Sequence, residues 1–272
     1  MVTGNLISEG GNSLNRIKTF YLERERALLG LLFICCLLVL WETLARLDVI
    51  NPFFISYPSK IMESLFQQTV NGSLFQNLLA TMLEFVIAFS IAAVVGLVLG
   101  FFMGWYRLVE YTVDPFMWLL YSAPLISLYP LLVIWLGLGI KIAVTLGFLF
   151  AFVSITANTL AGIKEVDRTL IRAARSFGAS NRVIFFRIMV PAALPMIISG
   201  LRLGVGRALI GIIAAEMFSA NRGLGYAISY YGNQMKTADF FAALLVVVVI
   251  GIVFDQVLKA VELGFSRWKA GN

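Results

Sequence analysis

Histidine is absent from this sequence of 272 residues. Its absence removes the usual general base, the commonest metal ligand and the side chain that titrates near neutral pH. A phosphate-binding G-x-x-x-x-G-K-[ST] loop is also missing, because no glycine is followed directly by lysine. The chain therefore has no ATP site of that kind. It also contains no recognisable pair of nucleophile and base that would indicate an enzyme.

Cysteine and charged residues are both scarce. The two cysteines, Cys35 and Cys36, are adjacent in one apolar run, where they form neither a framework disulfide nor a metal site. Charged residues make up 13% of the chain and hydrophobic residues 60%, whereas soluble proteins are about 25% charged. These proportions indicate an integral membrane protein. In such a protein a net charge of +6 reflects loop orientation and not nucleic-acid binding.

Six apolar windows are long enough to cross a bilayer as helices, which takes about 20 residues. They cover residues 27–47, 78–104, 115–136, 142–163, 194–218 and 240–258. The first window is too long for a signal peptide and lacks a cleavage site, so it is a retained span. Because the alternating strands of a barrel are absent, we predict an all-α integral membrane protein with six transmembrane helices.

The distribution of Lys and Arg predicts the orientation. Fourteen of them lie on the side of both termini and five on the other side. By the positive-inside rule, the termini and the loop between the fourth and fifth spans are cytoplasmic. The predicted domains are a cytoplasmic segment 1–26, a transmembrane domain 27–265 with a loop 163–191, and a cytoplasmic tail 266–272.

Small residues recur at every fourth position of two spans. They are Gly96, Gly100 and Gly104 in the second span, and Gly200, Gly204 and Ala208 in the fifth. Such stripes let helix backbones approach closely. Packing within the chain and contact with a second chain both remain open.

The loop 163–191 is the longest polar interruption of the apolar runs. Arg168, Arg172 and Arg175 recur at spacings that define one face of a short helix between residues 163 and 177. Phe177 lies off this basic stripe and offers an apolar anchor for a partner. The alternative is a solvated basic loop whose arginines only set the topology or contact lipid head groups.

Glycine and proline delimit the two halves of this loop. Gly178 is expected to end the first helix in a left-handed conformation. Ser180 or Asn181 is placed to cap a second short helix, which Pro191 is expected to stop. The predicted product is two short helices with a fixed bend.

The order of residues in the loop resembles the cytoplasmic coupling motif of ABC-importer permeases. That family has EAA, three residues, G, nine residues, I, one residue and LP. The matching residues here are Arg172-Ala173-Ala174, Gly178, Ile188 and Val190-Pro191, with Arg172 in place of the family's Glu and Val190 in place of its Leu. From about residue 51 onward the chain is similar to the nitrate, sulfonate, taurine and bicarbonate subgroup, in segments that include Pro58-Ser59, Pro124, Gly200-Leu201-Arg202, Ala214-Ala215-Glu216-Met217 and Gly223-Leu224-Gly225.

The resemblance implies a type I importer fold with cytoplasmic coupling helices. It implies two permease chains, identical or different, two ABC ATPase subunits and an external solute-binding protein. This chain would bind no cofactor, and ATP with Mg²⁺ would lie on the ATPase subunits. The expected function is the translocation path for a small anion, with no enzymatic activity of its own. The residues expected to couple to the ATPase are Arg168, Arg172, Ala173, Ala174, Arg175, Phe177, Gly178 and Pro191.

Charges inside the membrane supply candidates for the path. Arg202, Arg207 and Glu216 lie in the fifth span, where each charge is expensive, and Pro124 bends or breaks the third. The arginines would make the path attractive to anions. The alternative is structural: Arg202 would bond loop carbonyls, and Glu216 would cap or pair at the external end.

An ATP-independent channel or secondary transporter is the rival function. Ionisable groups within the spans suit ion coupling, and they are Glu42, Glu84 and Glu216. Glu42 and Glu84 have an alternative role as ties between helices. The rival predicts transport by this chain alone, without an ATPase.

Overall fold

The computed structural model describes residues 28–47, 54–219 and 221–270, together with Glu25. These residues form helices and turns, and no strand occurs among them. Apart from Glu25, the predicted segment 1–26 lies outside the described residues. The chain divides between Glu63 and Ser64 into two compact units.

The first unit contains α1, Leu28–Arg46, and the beginning of α2, Pro58–Val70. Glu42 accepts hydrogen bonds from the backbone N–H of Ser59 at 3.0 Å and from its hydroxyl at 2.7 Å. Arg46 Nε pairs with Glu42 Oε1 at 2.6 Å. Glu42 therefore ties the two helices together, as predicted.

Five helices are long and apolar enough to cross a membrane, and a bent pair supplies up to one more span. Each coincides with one of the six predicted windows. They are α1, α3 (Ser73–Trp105), the pair formed by α4 (Arg107–Ser122) and α5 (Tyr129–Leu136), α6 (Ile140–Lys164), the helix Asn181–Phe218, and the first part of α11 (Thr237–Ala270). The second unit also contains two shorter helices, α7 (Arg168–Ser176) and α10 (Leu224–Asn233), and the rest of α2.

The third predicted span is broken. α4 ends at Ser122, Ala123 is extended, and a 3₁₀ turn, Leu125–Leu128, leads into α5. The two halves are bent by 93°. Pro124 accounts for the break, because proline forces the preceding residue out of helical geometry. Pro130 lies in the first turn of α5, where proline is tolerated.

The glycine stripes serve packing within the chain, because α6 packs against both α3 and α9 (Val190–Ser219). A Cβ added at Gly100 would lie 2.6 Å from the Cβ of Thr159, and one added at Gly204 would lie 2.8 Å from Cγ1 of Ile155. Only glycine allows the helices to approach this closely. Of the two interpretations left open by the sequence, packing within the chain is the one observed.

The prediction that Pro191 stops the second loop helix is wrong. The helix that begins at Asn181 passes through α8, Asn181–Ile184, and a π-helical turn, Phe185–Met189, and continues as α9. A proline inside an α-helix lacks one N–H and clashes with the carbonyl four residues earlier. The π turn changes the hydrogen-bond register immediately before the proline, with Val190 N–H bonded to Phe185 O. The loop therefore contains one short helix, followed directly by the extended fifth span.

Candidate functional site

α7 forms the first half of the predicted coupling loop and confirms the short helix expected there. Asp167 caps its N-terminus by accepting a hydrogen bond from the Thr169 N–H at 2.7 Å. This hydrogen bond lowers the pKa of the Asp167 carboxyl below its ordinary value. The ionised side chain also interacts favourably with the helix dipole. This cap was not predicted from the sequence, although Asp before a helix is a common N-cap.

Gly178 ends α7 as predicted, in the left-handed region with φ +76°. Its N–H donates to Arg175 O at 2.9 Å, and the Ala179 N–H donates to Ala174 O at 3.0 Å. These two bonds form a Schellman motif. Ser180 then caps α8 by accepting from the Val183 N–H at 3.4 Å. Hydrogen bonds on both sides thus hold the bend between α7 and α8.

The inner face of α7 rests on a small hydrophobic cluster, here called the loop cluster. Its buried members are Ile163, Val166, Ile184, Met189, Ala193 and Ile197. Ile171 and Ala174 of α7 pack against it, as does Trp105 at the end of α3. The cluster therefore joins the short helix to the loop ends of α3, α6 and α9.

The outer face of α7 carries most of the predicted coupling residues. Phe177 is 91% exposed. The other exposed members are Arg168, Arg172, Ala173, Arg175 and Gly178, and Pro191 is exposed at the beginning of α9. Ala174 is the exception, because it faces the loop cluster. A basic stripe and an apolar anchor thus share one accessible surface.

A cavity of about 440 Å³ lies beside the broken span, lined mainly by α4 and α6. Asp114, Trp118 and Tyr121 line it from α4, and Thr156 and Lys164 line it from α6. Lys164 Nζ forms an ion pair with Glu110 at 2.5 Å. The space thus combines aromatic rings with charges of both signs.

Arg207 lies next to this cavity. Its guanidinium carbon is 5.3 Å from the centre of the Tyr121 ring, in a cation–π contact. No ion pair of Arg207 occurs within the described parts of the chain. The positive charge of Arg207 is therefore not neutralised by a paired carboxylate there.

Arg202 has a different environment, because it pairs with Asp255 of α11. Its Nε and Nη2 donate to the two carboxylate oxygens of Asp255 at 2.5 and 3.0 Å. The pair ties α9 to α11, with a carboxylate in place of the loop carbonyls expected as the structural alternative. Asp255 was missed by the sequence analysis. A lone acidic residue in the apolar window 240–258 was the signal that could have revealed it.

Glu216 is 1% exposed and lies at the end of α9. The Thr81 hydroxyl donates to its Oε1 at 2.6 Å, and the Gly225 N–H donates to its Oε2 at 2.7 Å. This geometry is that of an interhelical tie near the end of the span, which is the structural alternative predicted for Glu216. Thr81 was not identified from the sequence, because a single threonine in an apolar run has no distinguishing pattern.

A bundle of long apolar helices with an exposed, capped helix between two spans is the architecture of a multi-pass membrane protein. Residues 92–267 match the family described as binding-protein-dependent transport system inner membrane component. The chain belongs to this family. It is therefore a permease subunit of an ABC importer, a transport component and not itself an enzyme, and its family works with ATPase subunits and a solute-binding protein.

Individual proteins that are similar to this chain also have the names of transport permeases. The chain is 31% identical to the taurine transport system permease protein TauC of Escherichia coli, over 97% of both chains. It is 33% identical to the formylaminopyrimidine transport permease protein ThiX of Halalkalibacterium halodurans, over 90% of this chain and 97% of that one. It is 28% identical to the putative aliphatic sulfonates transport permease protein SsuC of Bacillus subtilis, over 88% and 87%.

The fold also matches a solved transporter. A chain of the MetNI methionine ABC transporter, in an inward-facing conformation, superposes with a TM-score of 0.58. The match covers 71% of this chain and 94% of that chain at 19% identity. At this identity the likeness concerns the fold alone, and it confirms the type I permease architecture.

Proposed function

We propose that α7 and the bend at Gly178 dock against an ATPase subunit and carry its motion to the membrane spans. The observation that supports this role is the exposure of Phe177, which is 91% accessible at the end of α7. An exposed aromatic ring beside a basic helix is suited to fill a groove on a partner. The exposed arginines of the same helix supply a polar rim, Arg168, Arg172 and Arg175.

Transmission into the membrane follows from the packing of α7. Ile171 and Ala174 contact the loop cluster, whose buried side chains belong to α6, α8, the π turn and α9 as well as Val166. Packed side chains resist compression, so a displaced helix moves its neighbours. The proposed switch is a rigid shift of α7 that changes the tilt of the spans between inward-facing and outward-facing states.

The proposed assembly contains two permease chains, identical or different, and two ATPase subunits that hold ATP and Mg²⁺. A solute-binding protein delivers the solute from outside. The excess of Lys and Arg on the loop side, 14 against five, supports a cytoplasmic location for α7 and both termini.

The proposed solute is a small anion. Arg207 supports this choice, because a guanidinium matches planar oxyanions and lies beside the cavity next to the break at Pro124. Broken spans often lie beside the route of a transported solute. The names of two relatives specify taurine and aliphatic sulfonates, which share a negatively charged sulfonate group. In this proposal Arg202 and Glu216 act on the path indirectly, through the helices that they tie.

The test is purification from the native membrane in mild detergent, followed by assays of vanadate-sensitive ATP hydrolysis and of taurine uptake in liposomes with the solute-binding protein present. An ATPase subunit should co-purify, and Gly178→Asp should reduce uptake per ATP hydrolysed while membrane insertion stays intact. Gly72→Asp is the matched control, because Gly72 has the same left-handed backbone at a different helix junction. If the chain purifies without an ATPase and still transports taurine by itself, the coupling role is refuted.

A further inference from the structure

Two buried carboxyl groups meet where α3 packs against the end of α9. Glu84 is 6% exposed and Glu216 1%. Glu84 lies one helical turn after Thr81 on α3, and Thr81 bonds to Glu216, so both carboxyl groups lie on the same side of α3. The coupling surface on α7 uses neither group.

Glu216 is the acceptor of the pair. Its Oε2 receives the backbone N–H of Gly225 at 2.7 Å, and its Oε1 receives the Thr81 hydroxyl at 2.6 Å. A backbone N–H can only donate, so Oε2 must accept. Thr81 Oγ1 itself accepts the Leu224 N–H at 2.9 Å, which leaves its hydrogen free to donate to Glu216. Both carboxylate oxygens are thus occupied by donors.

The same contacts bind residues 222–225, which form the bend after α9 and the start of α10, to α3. Asn77 of α3 accepts the Gly223 N–H at 3.0 Å. A Cβ on Gly225 would lie 2.7 Å from the Cβ of Glu216, so a larger residue would separate the turn from the carboxylate. The turn, here called the clasped turn, connects α9 to α10 and is anchored by Glu216.

A hydrogen bond between the two carboxyl groups requires a hydrogen on one of them, and Glu84 is the member that is not already held by two donors. Two carboxylates have no donor between them, and Glu216 already accepts from other groups. The second oxygen of Glu84, Oε2, is buried without a hydrogen-bond partner among the described residues. Such an oxygen is far less costly in a neutral acid than in a carboxylate. The charged groups that act on Glu84 are Glu216 and Arg222, and Arg222 is exposed on the clasped turn.

We propose that Glu84 and Glu216 form a binding site for a single proton, carried by Glu84, which lets α3 hold the clasped turn through an ionised Glu216. Without the proton, two negative charges would face each other in a buried site. The turn would then separate from α3. The site thus makes the closure of this end of the bundle depend on one bound proton.

The experiment uses the full chain in its native complex, reconstituted in lipid. Infrared difference spectra between wild type and Glu84→Gln, in H₂O and D₂O, detect the carbonyl band of a protonated carboxyl. The Tm of Glu84→Gln, Glu84→Ala and Glu216→Gln measures whether the clasped turn is held. Glutamine at position 84 reproduces the donor of a protonated acid, whereas alanine removes it.

The expected spectrum shows a protonated carboxyl band in wild type that shifts in D₂O and is lost in Glu84→Gln. Glu84→Gln should keep the wild-type Tm, while Glu84→Ala and Glu216→Gln should lower it by roughly 5 °C. Absence of the band in wild type would overturn the proposal. So would a Glu84→Gln variant as unstable as Glu84→Ala, or a Glu216→Gln variant as stable as wild type, since either places the donor elsewhere.

Discussion

Gly178 and Gly72 form a matched pair for testing the coupling loop. Their φ angles are +76° and +77°, and a Cβ added at either position would have no heavy atom within 4 Å. Replacement by alanine therefore costs only backbone strain, about 1–2 kcal/mol at either site. Because the cost is the same, a functional difference between the two variants arises from the position of the substitution and not from a difference in protein stability.

The strain should appear as local opening of the bend. A cost of 1–2 kcal/mol raises the opened population by about 5–30-fold. The Ala179 N–H, which donates to Ala174 O at 3.0 Å, should exchange with solvent faster by that factor in Gly178→Ala. Hydrogen exchange by mass spectrometry measures this rate. Gly72→Ala should leave exchange at Ala179 unchanged and raise it only at the junction of α2 and α3.

The functional consequence is measured as solute uptake per ATP hydrolysed in the reconstituted complex, with taurine, the solute named for a relative, as the probe. Gly178→Ala should lower this ratio, and Gly178→Asp should lower it further because it adds a charge next to Phe177. The Gly72 variants should keep the wild-type ratio. Two results would refute the coupling role. One is an equal loss in the Gly72 variants, and the other is faster exchange at Ala179 in Gly178→Ala with full coupling.

Gly100→Ala should lower the Tm, because the new Cβ would lie 2.6 Å from the Cβ of Thr159. Gly206→Ala is the control and should not lower it, because no atom lies within 4 Å of the new Cβ. Equal effects of the two substitutions on the Tm would contradict the packing of α3 on α6. Because the pKa of Asp167 is lowered, its cap stabilises α7 above the ordinary Asp pKa of about 3.9 and is lost as pH falls through the lowered value. Exchange at the Thr169 amide should rise there, and Asp167→Asn should abolish that dependence on pH. Arg207→Gln should raise the taurine concentration needed for half-maximal uptake, and an unchanged concentration dependence would remove Arg207 from the path.

Apolar length and turn chemistry were enough to predict much of this fold. Five of the six predicted windows coincide with a helix long enough to span, and the third with the bent pair, because a bilayer requires about 20 apolar residues whatever the neighbouring helices are. The left-handed Gly178 and the cap at Ser180 were predictable for a similar reason, since local backbone geometry selects those residue types. The break at Pro124 was predicted in kind, but its angle depends on how α5 packs.

Features that depend on partners distant in sequence could not be predicted. Pro191 was expected to stop a helix because the sequence contains no sign of the π turn that accommodates it. Asp255 pairs with Arg202 across 53 positions, and Thr81 reaches Glu216 across 135. Each of these residues is ambiguous alone. Only the packing of α3, α9 and α11 determines which polar groups meet.

The loop cluster and the Glu84–Glu216 pair lie at opposite ends of α9 and are connected by the same helices. α3 has 33 residues and is about 50 Å long. It contacts the loop cluster at Trp105 and the clasped turn at Thr81. Between these ends, the side chains of α6 fill the space beside the glycines of α3 and α9, so neither helix can slide far without displacing α6. A shift of α7 would therefore reach the clasped turn as a rigid movement of packed helices, and the bound proton proposed there would set how firmly that end resists it.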